Sequence, residues 1–155
     1  EEQTLMLETM LSKLPEGDTR RGHEVFMSKK AACNACHKLG YGGGRLGPDL
    51  TSIGRVRNRR DLLEAMVFPS LSIVRGYESV SVELNDGRVV SGIVTNETGT
   101  EVVVSADAQK THHIARSDIA EIVPSSVSPM PNGLATALTQ QDIADVITFL
   151  MSNKR

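Results

Sequence analysis

Both cysteines of this 155-residue chain fall within one string of five residues, Cys33-Asn34-Ala35-Cys36-His37. Few strings limit a fold so tightly. Two cysteines cannot staple a small domain through a disulfide framework, so their spacing matters more than their number. A zinc site needs four N or S ligands. Here there is no third Cys, and His112 and His113 are adjacent rather than spaced as in a zinc finger. A thioredoxin-like redox pair needs a βαβ setting, whereas the residues before Cys33 read as helix. The remaining chemistry for C-x-x-C-H is covalent attachment of haem. Two intervening residues let both sulfurs reach one edge of a macrocycle, and the His directly after the second Cys then lies under the iron.

The rest of the composition narrows the setting. Net charge is -2, so wholesale nucleic-acid or anionic-lipid binding is not expected. No apolar run is long enough to span a membrane. Aromatic residues make up only 3%, so aliphatic side chains or a group outside the sequence must fill the core.

Periodicity divides the chain. Leu7, Met10, Leu11 and Leu14 predict a helix over 2–14, closed by Pro15 and Gly17. A second helix is expected to start at Asp18 and run towards the Cys33–His37 string. The glycine-rich stretch 39–54 reads as loop, with backbone free to lie against a bulky ligand. A third helix is expected over 59–67 with Asn58 as its cap. The period then shifts to two. Val80, Val82 and Leu84 alternate with polar residues, Asn85-Asp86-Gly87 marks a hairpin, and Arg88–Thr95 returns with a bulge or bend expected at Gly92. Three more short strands are expected at 101–105, 110–115 and 119–123. Thr139 caps a last helix whose stripe is Ile143, Val146, Ile147 and Leu150. The order predicts an N-terminal extension (1–16), a discontinuous helical domain (17–75 and 124–155) and an inserted small antiparallel barrel or sheet (76–123).

A second axial ligand has several candidates among the methionines and histidines. Met6, Met10, Met66 and Met151 fall in predicted helices, where Met usually fills core gaps, and Met27 is expected to pack close to the attachment helix. Met130 differs, because it lies in Ser128-Pro129-Met130-Pro131. The flanking prolines disfavour regular helix or strand and stiffen an extended loop that could aim one thioether. The other readings are a Met that plugs a loop onto the core, or ligation by His112 or His113. Arg55, Arg57, Arg59 and Arg60 crowd six positions. They read either as a solvated face or as a positive patch that neutralises haem propionates or docks an acidic partner. Arg45 and Arg55 are the candidate propionate partners.

With Cys33–His37, Gly47-Pro48-Asp49-Leu50, Met130-Pro131 and a C-terminal amphipathic helix in order, the chain resembles mono-haem class I c-type cytochromes. More narrowly it is similar to the haem-binding domains of Planctomycetes and Verrucomicrobia, through Arg21-Gly22-His23-Glu24-Val25-Phe26, Gly76-Tyr77-Glu78 and Leu84-Asn85-Asp86-Gly87-Arg88-Val89-Val90-Ser91-Gly92. The resemblance covers roughly 17–152. It implies a mainly α cytochrome c fold, about four helices around one haem, with an inserted small antiparallel β-barrel or sheet, α+β overall. It implies haem c held by Cys33 and Cys36, iron ligation by His37 and Met130, and a Pro48 carbonyl that bonds the His37 ring and fixes its tautomer.

A site closed by His and Met ligands has no position for substrate, so the expected role is electron transfer and not catalysis. The partner would be a redox protein such as a dehydrogenase, met through a small transient interface. The alternative is a haem sensor or peroxidase-like enzyme with a displaceable Met130. A homodimer through the β insertion is a further expectation. Covalent haem implies export to the periplasm or beyond. The acidic start at Glu1 carries no signal peptide, so a mature form or an excised domain is expected.

Overall fold

A computed structural model describes residues 1–154. The chain divides into two compact units, one of residues 1–72 and 131–155, the other of residues 73–130.

The first unit is built from six α-helices: α1 (Glu2–Lys13), α2 (Thr19–Met27), α3 (Cys33–Cys36), α4 (Arg59–Val67), α5 (Leu134–Ala137) and α6 (Gln140–Ser152). A 3-10 turn covers Ile53–Arg55. The starts of the longer helices follow from side-chain chemistry. The Asp18 carboxylate accepts from the Arg21 N–H at 2.8 Å. Asn58 with Asp61, and Thr139 with Asp142, form reciprocal capping boxes that satisfy two orphan donors each. Ser28 ends α2 by turning its backbone extended.

The core of this unit is the crossing of α2 and α6. Gly22 sits so close to α6 that a Cβ there would stand 2.0 Å from the Asp145 carbonyl oxygen. Phe26 is fully buried, with its ring 5.7 Å from Phe149 in an edge contact. A ring so buried contributes about 1.5–3 kcal/mol. Arg21 reaches across to Asp145, with Nε 2.9 Å from Oδ2. The Arg-Gly-x-x-x-Phe string thus supplies an ion pair, a close approach and a ring to one helix crossing.

The second unit is a five-stranded antiparallel sheet: β1 (Val80–Leu84), β2 (Val89–Glu97), β3 (Glu101–Ser105), β4 (Thr111–Ala115) and β5 (Ile119–Pro124). The strand order is β4-β3-β2-β1-β5, with β4 and β5 as edges. Val82, Val102, Val104, Leu84 and Ile114 make its core. The bend expected at Gly92 is displaced. Gly92 pairs in register with Val80, and the irregularity falls between Val94 and Asn96. Gly92 serves a different need, since a Cβ there would stand 2.3 Å from the Ser105 carbonyl oxygen.

The architecture is α+β, and only 37% of it is helical. This corrects the expectation of a mainly α cytochrome c fold with about four helices. Among the described residues there are six helices; α3 and α5, which the sequence did not predict, are single turns of four residues each, too short to leave a periodic stripe. No helix among the described residues is long and apolar enough to cross a membrane.

Candidate functional site

The Cys33–His37 string forms its own element. The helix before it stops at Met27, and α3 carries Cys33 and Cys36 at its two ends. The residue that starts this turn, Ala32, has φ 51° and ψ 32°, the left-handed region. A non-glycine residue there costs roughly 1–2 kcal/mol, so the turn is held by what surrounds it. Ala32 N–H bonds Ser28 O at 2.8 Å, and His37 N–H bonds Cys33 O at 2.9 Å. Neither cysteine is in a disulfide, and both are half-buried. Burial pushes the Cys33 thiol up to about 11.

The loop after His37 folds back over this turn. Gly44 N–H donates to Asn34 O at 2.9 Å, Gly47 N–H to Cys36 O at 2.8 Å, and Leu50 N–H to Lys38 O at 2.9 Å. Glycine is required where the backbones meet. A Cβ on Gly44 would stand 2.0 Å from the Ala35 carbonyl oxygen, and one on Gly43 2.2 Å from the His37 carbonyl oxygen. Gly43 also has φ +101°, which L side chains rarely adopt. Gly47 lies against the imidazole itself. A Cβ there would be 2.5 Å from His37 Cε1, 2.7 Å from Nδ1 and 2.9 Å from Nε2.

The His37 ring is oriented by one bond. Nδ1 lies 2.7 Å from the Pro48 carbonyl oxygen. A carbonyl only accepts, so Nδ1 must carry the hydrogen. In the neutral ring the lone pair is therefore on Nε2. Burial holds the ring's pKa below the usual histidine value, against an opposing effect of the Pro48 bond. The neutral form prevails at neutral pH, with Nε2 as a competent ligand atom.

Cys33, Cys36, His37 and Pro48 thus belong to one turn and the loop folded on it. Arg45 lies in that loop and Arg55 ends the 3-10 turn; both are exposed, and neither has an ion-pair partner among the described residues. Met130 belongs to the second unit, where it is half-buried and its N–H donates to Ser128 Oγ at 3.2 Å. Met27, expected to pack near the ring, is half exposed at 50%. His113 pairs with Glu101 across the sheet, and His112 sits beside Arg88 and Asp118 in a cleft of about 290 Å³ on the second unit.

No protein-family model matches the chain, and no curated protein does. The site is therefore read from its own chemistry. Among the described residues, no three His, Cys, Asp or Glu side chains are arranged to hold a bare metal ion. Two thiols on one helical turn, next to an imidazole with fixed tautomer, suit a group that brings its own metal and is anchored through the sulfurs. The donor set fits haem in that sense. Cys33 and Cys36 would hold it covalently, and His37 Nε2 would ligate its iron.

Sequence reasoning did not single out Gly47 as the residue against which His37 rests, nor Asp145, which is 2% exposed and anchors α2 to α6. Glycine at 43, 44 and 47 beside a candidate ligand was a usable signal. Asp145 gave none, because a carboxylate in a helix usually faces water.

Proposed function

We propose that this chain is an electron carrier that binds one haem covalently through Cys33 and Cys36, with His37 as an axial ligand, and that it is not an enzyme. The observation that carries the reading is the His37 ring, tied at Nδ1 to Pro48 and backed by Gly47, directly after a turn that holds both thiols. Bound there, haem supplies an iron that accepts and releases a single electron. The chain's own contribution is positional. Pro48 keeps the hydrogen on Nδ1 and so keeps Nε2 basic. Gly47 removes side-chain bulk, so that the ring can lie flat against the loop. The folded-back loop 39–50 shields one flank of the turn from water.

The second axial ligand in this reading is Met130, on the strength of its two flanking prolines. Replacing it, as Met130→Ala, should lower the reduction potential and change the ferric spectrum. An unchanged spectrum and potential would assign the ligand elsewhere. Covalent haem implies assembly outside the bacterial cytoplasm, so the reading includes export. Its partner is a redox protein such as a dehydrogenase. Nucleic acid is disfavoured by the second unit, whose residues 73–130 hold four Lys and Arg against eight Asp and Glu. Self-association would use the edges β4 and β5, and sedimentation at rising concentration tests it.

The deciding experiment is expression in cells competent for cytochrome maturation, followed by denaturing electrophoresis and haem staining. A stained band at 16.8 kDa plus one haem is expected. A colourless chain overturns the proposal. Fast, stoichiometric CO binding by the reduced protein at neutral pH would favour a sensor or peroxidase-like role instead.

A further inference from the structure

We propose that the face formed by residues 38–59 of the first unit docks an acidic redox partner, with Tyr41 as the side chain that the partner covers. This rests on the electron-carrier reading and adds the chemistry of the partner. Between Lys29 and Arg60 the sequence has eight Lys or Arg and one acid, Asp49, in a chain of net charge -2. Those cations differ from others of the same unit in how they are used. Arg20, Arg21, Lys30 and Arg60 are each paired with a carboxylate. Lys29, Arg45, Arg55, Arg57 and Arg59 have no ion-pair partner among the described residues and are all exposed. Lys38 stands 3.9 Å from Asp49. If the two carboxylates of a haem occupied Arg45 and Arg55, Lys29, Arg57 and Arg59 would still be unmatched. A local field of sign opposite to the net charge selects negatively charged partners and steers their approach.

Tyr41 belongs to the same cationic segment. Leu39 and Gly42 exchange two backbone hydrogen bonds, Leu39 N–H to Gly42 O at 2.8 Å and Gly42 N–H to Leu39 O at 3.2 Å. The tight hairpin is completed by Gly40 at φ +62° and pinned by Gly40 N–H to Thr51 Oγ1 at 2.9 Å. Its tip holds Tyr41 wholly in solvent. In a chain with five aromatic residues outside histidine, one is held away from any core by a backbone braced for the purpose. Exposed Val56, between Arg55 and Arg57, adds apolar surface. An exposed tyrosine in the same segment as four exposed, unpaired arginines has the composition of an interface centre, since Tyr and Arg dominate binding hot spots. The hairpin follows His37 by two residues, and the loop is bonded to the Cys33–Cys36 turn, so a partner seated here lies next to the redox site.

The test uses the haem-loaded full chain in stopped flow. Ferrous protein gives one electron to hexacyanoferrate(III), which becomes hexacyanoferrate(II), and the rate is followed against ionic strength. The expected rate falls at least about threefold between about 10 and about 200 mM salt, although net charge alone predicts a rise. The Arg57→Glu/Arg59→Glu variant should abolish or invert that slope. With reduced flavodoxin, an acidic protein, as electron donor to the ferric chain, Tyr41→Ser should slow second-order transfer by about fivefold or more and leave the hexacyanoferrate rate unchanged. A hexacyanoferrate rate that rises with salt, or a Tyr41→Ser variant as fast as the parent with flavodoxin, overturns the docking surface and leaves the haem reading intact. A colourless protein, seen before any kinetics, overturns the reading beneath it and this proposal together.

Discussion

Gly47 does the work of a side chain by lacking one. Its Cα is close enough to the His37 ring that any Cβ would overlap three ring atoms. Gly47→Ala must therefore push the imidazole off the Pro48 carbonyl or the loop off the turn. The expected cost is about 1–3 kcal/mol of stability, read from the urea midpoint, together with a clear drop in the fraction of chain that carries haem. An unchanged midpoint and full loading would show that the ring is not held there. Ala32 poses the opposite case. Its left-handed backbone is strained, whereas glycine adopts it freely. Ala32→Gly should raise stability by about 0.5–1 kcal/mol once the larger unfolded-state freedom of glycine is deducted. Chemical denaturation decides it, and a loss of stability would mean that the Ala32 methyl has a packing role.

At the level of elements, α2 and α6 are locked by a buried carboxylate. Asp145 accepts from Asp18 N–H, from Arg21 Nε and Nη2 and from Gln141 Nε2, at 2.8–3.1 Å. Burial by itself would raise its pKa, and the bonds from Arg21, Asp18 and Gln141 outweigh that and hold it below the ordinary 3.8. A carboxyl depressed on folding contributes stability above its unfolded value and loses it as pH falls through the folded value. Unfolding followed by circular dichroism should therefore show a loss of stability below about pH 4. In Arg21→Gln that acid loss should be shallower and stability at pH 7 lower, by an amount that solvent screening keeps small because Arg21 is 56% exposed. An identical acid limb in parent and variant would remove Arg21 from the account. The longer helices were legible from the sequence because a 3.6-residue stripe and a cap are local properties. Asp18, Asn58 and Thr139 each cap the helix they were expected to start. Single-turn α3 and α5 were not legible, since four residues cannot express a period. The bulge was misplaced at Gly92 because glycine in a strand signals either a bend or a close approach. Only the neighbouring strand decides which, and here Ser105 demands the close approach.

The molecule as a whole is two units with separate cores. The valine-rich core of the sheet is complete within residues 73–130, and both cysteines lie in the other unit. A polypeptide of residues 73–130 should accordingly unfold as one cooperative β-type transition and stay colourless under cytochrome maturation. A lack of any cooperative transition in circular dichroism would show that the sheet depends on the remainder of the chain. Val102→Ala should destabilise that transition by about 1–3 kcal/mol through the cavity it leaves, with haem attachment in the full chain unaffected. The sequence alone placed two thiols and an imidazole within five residues, the basis of the haem proposal, because the spacing of Cys33, Cys36 and His37 is a local property of the chain. It also determined where the hydrophobic period changes from helix to strand, since period is a property of short windows. Tertiary structure alone decided that Gly22 and Gly47 must stay bare, and that a carboxylate at 145 is buried. Each of these is a contact between residues far apart along the chain or across a folded loop, and no local pattern records which backbone will arrive within 3 Å of another.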